Sequence, residues 1–158
     1  MEELNGSHQA DLILLVDDDA TGRSVRALVL AANGHHVLEV GEAQAALSAL
    51  ASEPIRLVIV DYFLDGLTGD ELARQMRLVK ADVPILLLSG SEVPEDTRHV
   101  DDCLSKLEPL AVIEEKIAEL LQRRGGRTAG PSVQSAGARR GPEKQDLSPD
   151  IERETGSA

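Results

Sequence analysis

The stretch LILLVDDD, residues 12–19, joins five apolar residues directly to three aspartates. An apolar run of this length, followed at once by polar residues, predicts a short strand that is buried on both faces. A segment of helical spacing comes next and stops at Asn33-Gly34, which is a left-handed cap signal. One face of this predicted helix carries Val25, Leu28, Val29 and Ala32. This part of the sequence therefore predicts a buried strand with carboxylates at its carboxyl end, followed by a helix.

Four more short apolar runs follow, each separated from the next by a longer segment: residues 36–40, 57–60, 85–88 and 103–105. Between and after them, helices are predicted from apolar residues at helical spacing, namely Ala43, Ala46, Leu47, Leu50, Leu72, Met76, Val79, Leu110, Ile113, Ile117, Leu120 and Leu121. Thr68 is a good N-cap for the third helix, and residues 95–100 allow at most a short helix. The alternation predicts an α/β fold with a parallel sheet covered on both faces.

The composition limits both the number of domains and the kinds of site. A chain of 158 residues has room for one ordinary domain of about 100 to 150 residues and a short appendage. The single cysteine, Cys103, excludes a disulfide within the chain and any metal site built on cysteine pairs. The first ten residues are polar and acidic, and no apolar run reaches the roughly 18 residues of a membrane span. We therefore expect a soluble, cytoplasmic protein that makes no membrane contact.

Charge divides the chain into two parts. Residues 1–122 hold 23 Asp and Glu against 9 Lys and Arg, whereas residues 123–158 hold 5 against 7. Because residues 1–122 are strongly acidic, they repel the phosphate backbone of nucleic acids, and we expect this part of the chain not to bind nucleic acid. The second part contains scarcely any large apolar residue, so it cannot bury enough surface to offset its ordering entropy. We expect a flexible N-terminus over residues 1–10, a folded domain over 11–122 and a disordered polar tail over 123–158.

Polar side chains stand at the carboxyl ends of the predicted strands, where ligands bind in open parallel sheets. Asp17 and Asp18 follow the first strand, Asp61 the third, Ser89 the fourth and Lys106 the fifth. Two unit charges about 4 Å apart repel by about 4 kcal/mol at an effective dielectric constant of about 20, so converging carboxylates favour a hard divalent cation. Magnesium prefers oxygen ligands and is usually held by one or two carboxylates plus a phosphate oxygen. The pattern favours a magnesium site, and with that ion present Asp61 could act as a nucleophile toward phosphorus while Lys106 neutralises the phosphoryl oxygens.

Four segments, LILLVDDD, LVIVD, ILLLSG and LSK, resemble in order and approximate spacing the signature segments of response-regulator receiver domains. The likeness covers about residues 11–122. It implies a doubly wound, five-stranded, flavodoxin-like sheet of order 2-1-3-4-5, here with a shortened fourth helix. It also implies a stand-alone domain of a two-component phosphorelay, which takes a phosphoryl group from a sensor histidine kinase or a histidine phosphotransfer protein. Its output would pass through contacts with a downstream protein.

By the same resemblance, individual residues acquire roles. Asp61 matches the phosphoacceptor, Asp18 a direct magnesium ligand and Asp17 a ligand that acts largely through water. The backbone carbonyl of Phe63 matches the third protein ligand. We expect no enzymatic activity toward other substrates, because such a domain catalyses only its own phosphorylation and dephosphorylation.

Three further positions match the family pattern. Ser89 corresponds to the switch hydroxyl, Lys106 to the phosphate-binding lysine and Gly69 to the glycine in the loop that leads to the third helix. Asp19 is set aside from the site, since Asp is a preferred N-cap residue before a helix.

The sequence also departs from the family pattern. Leu107 stands where receivers usually have proline after the lysine, Cys103 occupies the position of the aromatic switch residue, and Asp65 replaces a common proline. Only 16 residues separate Ser89 from Lys106, about one helical turn fewer than usual. A relay that depends on an aromatic ring turning beneath the switch hydroxyl cannot operate here in its usual form.

Two alternatives remain open at this point. A haloacid-dehalogenase-like phosphatase would use Asp17, Asp19 and Thr21 as its opening motif, although Lys106 then follows the final acidic pair instead of preceding it. A pseudo-receiver, which binds a partner without phosphorylation, is compatible with the unusual Leu107 and Cys103.

Overall fold

The computed structural model describes residues 10–90, 94 and 96–125. The flexible segment predicted over residues 1–10 and the disordered tail predicted over 123–158 therefore fall almost entirely outside the described residues and stay predictions. The last helix continues to Gly125, beyond the predicted domain boundary.

Five parallel strands form the central sheet, in the spatial order β2-β1-β3-β6-β7. They are β1 (Leu12–Val16), β2 (His36–Val40), β3 (Leu57–Asp61), β6 (Ile85–Ser89) and β7 (Asp102–Ser105). Two short strands, β4 (Phe63–Leu64) and β5 (Leu67–Thr68), form a separate antiparallel hairpin. When this hairpin is left out, the order is the predicted 2-1-3-4-5, which confirms the flavodoxin-like topology.

In the part of the chain that the structure describes, four helices cover the two faces of the sheet: α1 (Ala20–Ala32), α2 (Ala43–Ser52), α3 (Gly69–Val79) and α4 (Leu110–Gly125). Along β1, Leu14 and Val16 pack into one aliphatic core with buried residues of α2 and α3. Ile13 and Leu15 point to the opposite side and pack with buried residues of α1 and α4. The sheet is thus doubly wound, and burial on both faces explains why its inner strands read as continuous apolar runs. None of the helices in the described residues is long and apolar enough to cross a bilayer.

Helix α1 forms where predicted, but it buries a different face from the one that the spacing indicated. Val25 and Leu28 are exposed, whereas Ala27 and Leu30 are buried against the sheet. Several apolar residues on a helix make more than one stripe plausible, and the site of contact with the sheet decides between them. The face prediction was therefore wrong, although the helix itself was right.

Between β6 and β7, the described residues 96–101 form one turn and one bend and no helix. Part of the predicted short helix over 95–100 lies outside the described residues. Arg77 of α3 anchors the segment by donating to the backbone carbonyl of His99 at 2.9 Å and to the Asp101 carboxylate at 2.6 Å. Asp101 in turn accepts the backbone N–H of Ile85 at 2.7 Å. Helix α3 thereby holds the described part of the chain that leads into β7.

Candidate functional site

Neighbouring strands bring the acidic residues together at one edge of the sheet. Val16 is paired in register with Val60, so Asp17 and Asp61 lie beside each other at the carboxyl ends of β1 and β3. Asp17, Asp18 and Asp61 each offer a carboxylate oxygen, and these three oxygens lie within 4.8 Å of one another. The predicted acidic residues therefore converge into one cluster.

The three carboxylates differ in their solvation. Asp17 is 1% exposed and Asp61 7% exposed, whereas Asp18 lies in solvent. Burial raises the pKa of Asp61; the hydrogen bond and charge of Lys106 act in the opposite direction, and the charge of Asp17 raises the pKa further. Because removing a carboxylate from water disfavours its ionised form, an anionic Asp61 depends on nearby positive charge.

Lys106 supplies part of that charge. Its Nζ donates to Asp61 Oδ1 at 2.9 Å and lies 3.9 Å from Asp17 Oδ2. The lysine follows β7, and its backbone N–H donates to the Ser89 carbonyl at 2.7 Å, which extends the pairing of β6 and β7 by one residue. The pairing of β6 with β7 therefore positions the Lys106 ammonium group at the acidic cluster.

The residue after the lysine does not disturb this placement. Leu107 is 86% exposed, and its N–H donates to Ser105 Oγ at 3.0 Å. The carbonyl of Ser105 accepts the N–H of Glu108 at 3.1 Å, which closes a tight turn. The turn leads into α4 without the proline that receivers usually have here.

Ser89 and Cys103 occupy neighbouring strands of the sheet. Ser89 is buried at the end of β6, one residue beyond the partner of Asp61 in the register. Cys103 is half-buried and packs against the core that contains Leu14 and Leu87, and burial raises the pKa of its thiol. The small Cys103 side chain therefore occupies the position at which receiver domains usually have an aromatic residue that changes its rotamer.

Two arginines of α1 reach Asp17, and the sequence reasoning did not include them. Arg23 Nη1 donates to the Asp17 carbonyl at 2.6 Å, and Arg26 Nη1 donates to Asp17 Oδ2 at 3.1 Å. A Cβ at Gly41 would lie 2.8 Å from Arg23 Nη1, so this glycine leaves space for the guanidinium group. The available signal was two arginines one helical turn apart, directly after an acidic run.

Asp19 caps α1, as expected, by accepting the N–H of Gly22 at 3.3 Å. The phosphatase alternative needed this residue as part of its opening motif. At the start of α3, Thr68 occupies the predicted N-cap position, but its hydroxyl donates to the Asp70 carboxylate instead of accepting a backbone N–H.

Phe63, whose carbonyl is the third predicted metal ligand, lies two residues after Asp61 in the hairpin of β4 and β5. Its side chain is half-exposed, and its ring meets that of Tyr62 edge-on at a centroid distance of 4.9 Å. Gly66 has a φ of +92° at the turn of the hairpin, a conformation that favours glycine. The assignment of the Phe63 carbonyl to a metal stays a prediction.

Gly69 lies against the backbone that carries the acceptor residue. A Cβ at this position would sit 2.4 Å from the Asp61 carbonyl oxygen and 2.6 Å from Leu87 Cδ1. We expect Gly69→Ala to lower the free energy of unfolding by about 3 kcal/mol, because the backbone or the core must shift to admit the methyl group. Urea denaturation monitored by circular dichroism measures the change. Gly90→Ala is the matched control, since a Cβ there meets nothing within 4 Å; equal midpoints for the two variants would contradict the steric argument.

The donor set of the cluster suits a hard divalent cation. Three carboxylate oxygens from Asp17, Asp18 and Asp61 lie close enough to share one ion, and the described residues offer no sulfur or imidazole ligand with them. Magnesium prefers oxygen ligands and retains several of its water molecules. Because Asp18 is exposed to solvent, the cluster has room for these waters. The residues present therefore fit a magnesium ion.

Comparisons with known proteins agree with this arrangement. The family model for the response regulator receiver domain matches residues 13–118. The chain is 34% identical over 90 residues to the sensory/regulatory protein RpfC of Xanthomonas campestris pv. campestris, a match that covers 54% of this chain and 12% of RpfC. The chain thus spans only a small part of that relative.

Solved structures show the same fold. A CheY-like response regulator receiver domain protein from Methanospirillum hungatei JF-1 is 22% identical with a TM-score of 0.69, covering 74% of this chain and 98% of that chain. The response regulator TrrA from Thermotoga maritima is 28% identical with a TM-score of 0.66, covering 70% of this chain and 98% of that chain. With the family model matched over most of the described residues, the chain belongs to the response regulator receiver domain family.

Proposed function

We propose that this receiver domain takes a phosphoryl group onto Asp61 from a sensor histidine kinase or a histidine phosphotransfer protein, with a magnesium ion in the acidic cluster. The observation that carries the proposal is the contact of 2.9 Å between Lys106 Nζ and Asp61 Oδ1 inside a group of three carboxylates. A lysine beside a buried carboxylate, at a cluster that fits a divalent cation, would supply the electrostatic stabilisation that phosphoryl transfer needs.

In the proposed reaction, a carboxylate oxygen of Asp61 attacks phosphorus while the nitrogen–phosphorus bond of the donor's phosphohistidine breaks. The products are an acyl phosphate on Asp61 and a free histidine on the donor. Lys106 neutralises charge on the equatorial oxygens, and the Ser89 hydroxyl donates a hydrogen bond to one of them. A bound magnesium ion supplies further charge neutralisation for the same oxygens. The protein's contribution is positioning and electrostatic stabilisation.

An open groove lies beside the cluster, at Asp18. Asp18 lines this groove of about 490 Å³, together with Glu42, Leu64 and Asp65 among others. An open side is what a phosphodonor needs to approach the buried Asp61 carboxylate. The exposed Phe63 ring next to the acceptor would limit the approach of water and lengthen the phosphorylated state.

Among the relatives, TrrA from Thermotoga maritima is described as a complex with Mg(2+)-BeF. That relative therefore binds magnesium, which supports the same cofactor here because the acidic donor set of this chain fits the ion. We further propose a cytoplasmic domain that acts on no other substrate and signals through contacts with a downstream protein, as the receiver family implies.

Incubation of the whole chain with a small phosphodonor tests the proposal. In magnesium we expect intact mass spectrometry to show one added phosphoryl group, and with magnesium replaced by a chelator we expect almost none, because repulsion among the carboxylates then opposes the incoming anion. An unmodified mass under both conditions would favour the alternative of a pseudo-receiver that is not phosphorylated. The unusual residues Leu107 and Cys103 are compatible with that alternative.

A further inference from the structure

Asp17 is the most enclosed of the three carboxylates, and both of its oxygens already have donors. Oδ1 accepts the backbone N–H of Asp19 at 2.9 Å, and Oδ2 accepts Arg26 Nη1 at 3.1 Å. Only 2% of the Asp17 side chain is exposed, against 24% for Arg26. A cation that takes this carboxylate as a ligand must therefore share it with Arg26 or displace its guanidinium group.

The oxygen that Arg26 contacts is the one directed toward the reactive end of the site. Lys106 Nζ lies 3.9 Å from Asp17 Oδ2 and 2.9 Å from Asp61 Oδ1, so Oδ2 faces the side on which Lys106 and Asp61 meet. Arg26 thus adds a second positive charge to the cluster, at the same Asp17 oxygen that Lys106 approaches.

The side chain of Arg26 has apolar neighbours from both α1 and α4. It lines an apolar groove of about 410 Å³ with Val25, Val29, Leu110 and Ile113 among others, and its charged end reaches Asp17. Arginine commonly lays its aliphatic stem along apolar surface while its charged tip reaches a polar partner. Arg23, one turn earlier, donates to the Asp17 carbonyl instead and pairs with Glu39 at 3.3 Å, so it does not engage the carboxylate.

We infer that Arg26 is a positioning residue that holds the Asp17 carboxylate in place before a divalent cation binds and that weakens the affinity of the site for that cation. The inference rests on the proposed function, since it concerns the same metal site. Two effects oppose each other: the ion pair orients Asp17, which favours metal binding, while the guanidinium charge repels the cation and occupies its ligand. The second effect is the larger, because the Asp19 N–H continues to orient Asp17 when Arg26 is absent.

Isothermal titration of the whole metal-free chain with magnesium chloride measures the affinity directly. Arg26→Met keeps a stem of similar shape in the groove and removes the charge; we expect magnesium to bind it about tenfold more tightly, the change that one nearby charge makes at a partly solvated site. Arg26→Lys restores the charge and should return the affinity toward that of the wild type. Arg26→Gln, a second neutral variant, should match Arg26→Met and covers the case in which the methionine variant does not fold.

Arg56→Met is the matched control, because it removes the same charge at the end of β3 remote from Asp61, where Arg56 pairs with Asp11 at 3.0 Å. We expect its magnesium affinity to change by less than about twofold, since exposed charges farther apart than a Debye length are largely screened. Equal tightening in the Arg56 and Arg26 variants would overturn the inference, since the effect would then be one of net charge. Unchanged or weaker binding in both neutral Arg26 variants would overturn it too, while leaving the proposed function intact. Absence of magnesium binding to the wild type would instead overturn the proposed metal site and the inference with it.

Discussion

Asp61→Asn is expected to abolish uptake of a phosphoryl group from a small phosphodonor in magnesium. The amide replaces the nucleophilic carboxylate oxygen at the one position where Lys106 Nζ makes a contact of 2.9 Å with a buried carboxylate. Nearly the same volume is retained, so the fold and the hydrogen-bond distance to the lysine are preserved. Intact mass spectrometry of the variant should therefore show only the unmodified chain, under conditions in which the wild type gains one group.

Asp65→Asn is the matched control for this experiment, because it removes a carboxylate from the exposed hairpin beside the site while leaving the cluster of three unchanged. We expect it to take up phosphate like the wild type. The added group should also be released by hydroxylamine, which cleaves acyl phosphates and spares serine phosphates. Phosphoryl uptake by Asp61→Asn, or resistance of the wild-type adduct to hydroxylamine, would contradict the assignment of Asp61 as acceptor.

Lys106→Met is expected to slow phosphorylation by at least about a hundredfold, the usual effect of removing one preorganised group that stabilises charge in a transition state. Its ammonium group is the nearest cation to the Asp61 carboxylate and lies within 3.9 Å of Asp17 as well. Methionine keeps the length of the side chain but leaves the developing charge on the phosphoryl oxygens without this partner. The rate of mass gain at fixed donor and magnesium concentrations gives the comparison.

The control for the lysine variant is Lys116→Met on α4. Lys116 pairs with Asp102 at 2.6 Å and with Glu119 at 3.0 Å on the protein surface, so its replacement changes net charge equally without touching the carboxylate cluster. We expect a rate within about twofold of the wild type, as for a screened surface charge. A Lys106→Met rate no lower than that of the control would contradict the role given to Lys106.

The strand pattern could be predicted from the sequence because a sheet buried on both faces demands continuous apolar runs. Residues 57–60 and 85–88 are such runs, and the observed strands each extend one residue further, to Asp61 and Ser89. The first polar residue after each run then had to lie at the carboxyl edge of the sheet, since all five strands are parallel. The strand assignment therefore placed Asp17, Asp61 and Lys106 at the same edge of the sheet, and the strand order implied by the family resemblance brought them close together.

The packing of the helices against the sheet could not be predicted from the spacing of apolar residues. Helical spacing on α1 allowed more than one apolar stripe, and only packing shows that Ala27 and Leu30 face the sheet. That rotation also directs Arg23 and Arg26 toward Asp17, which a stripe centred on Val25 and Leu28 would not have indicated. The pairing of Asp101 with Arg77 could not be predicted from the sequence for a similar reason, because 24 positions separate the two in the chain.

Asp17, Asp18 and Asp61 converge into a cluster suited to a divalent cation, and thermal melting of the metal-free chain in magnesium chloride tests this claim. A ligand that binds only the native state stabilises it by about 2.7 kcal/mol at a hundred times its dissociation constant, so the melting temperature should rise steadily with magnesium. Sodium chloride at matched ionic strength should produce a much smaller rise, and Asp18→Ala should lose most of the magnesium effect. Superimposable melting curves for the wild type in magnesium and in sodium at equal ionic strength would contradict the claim.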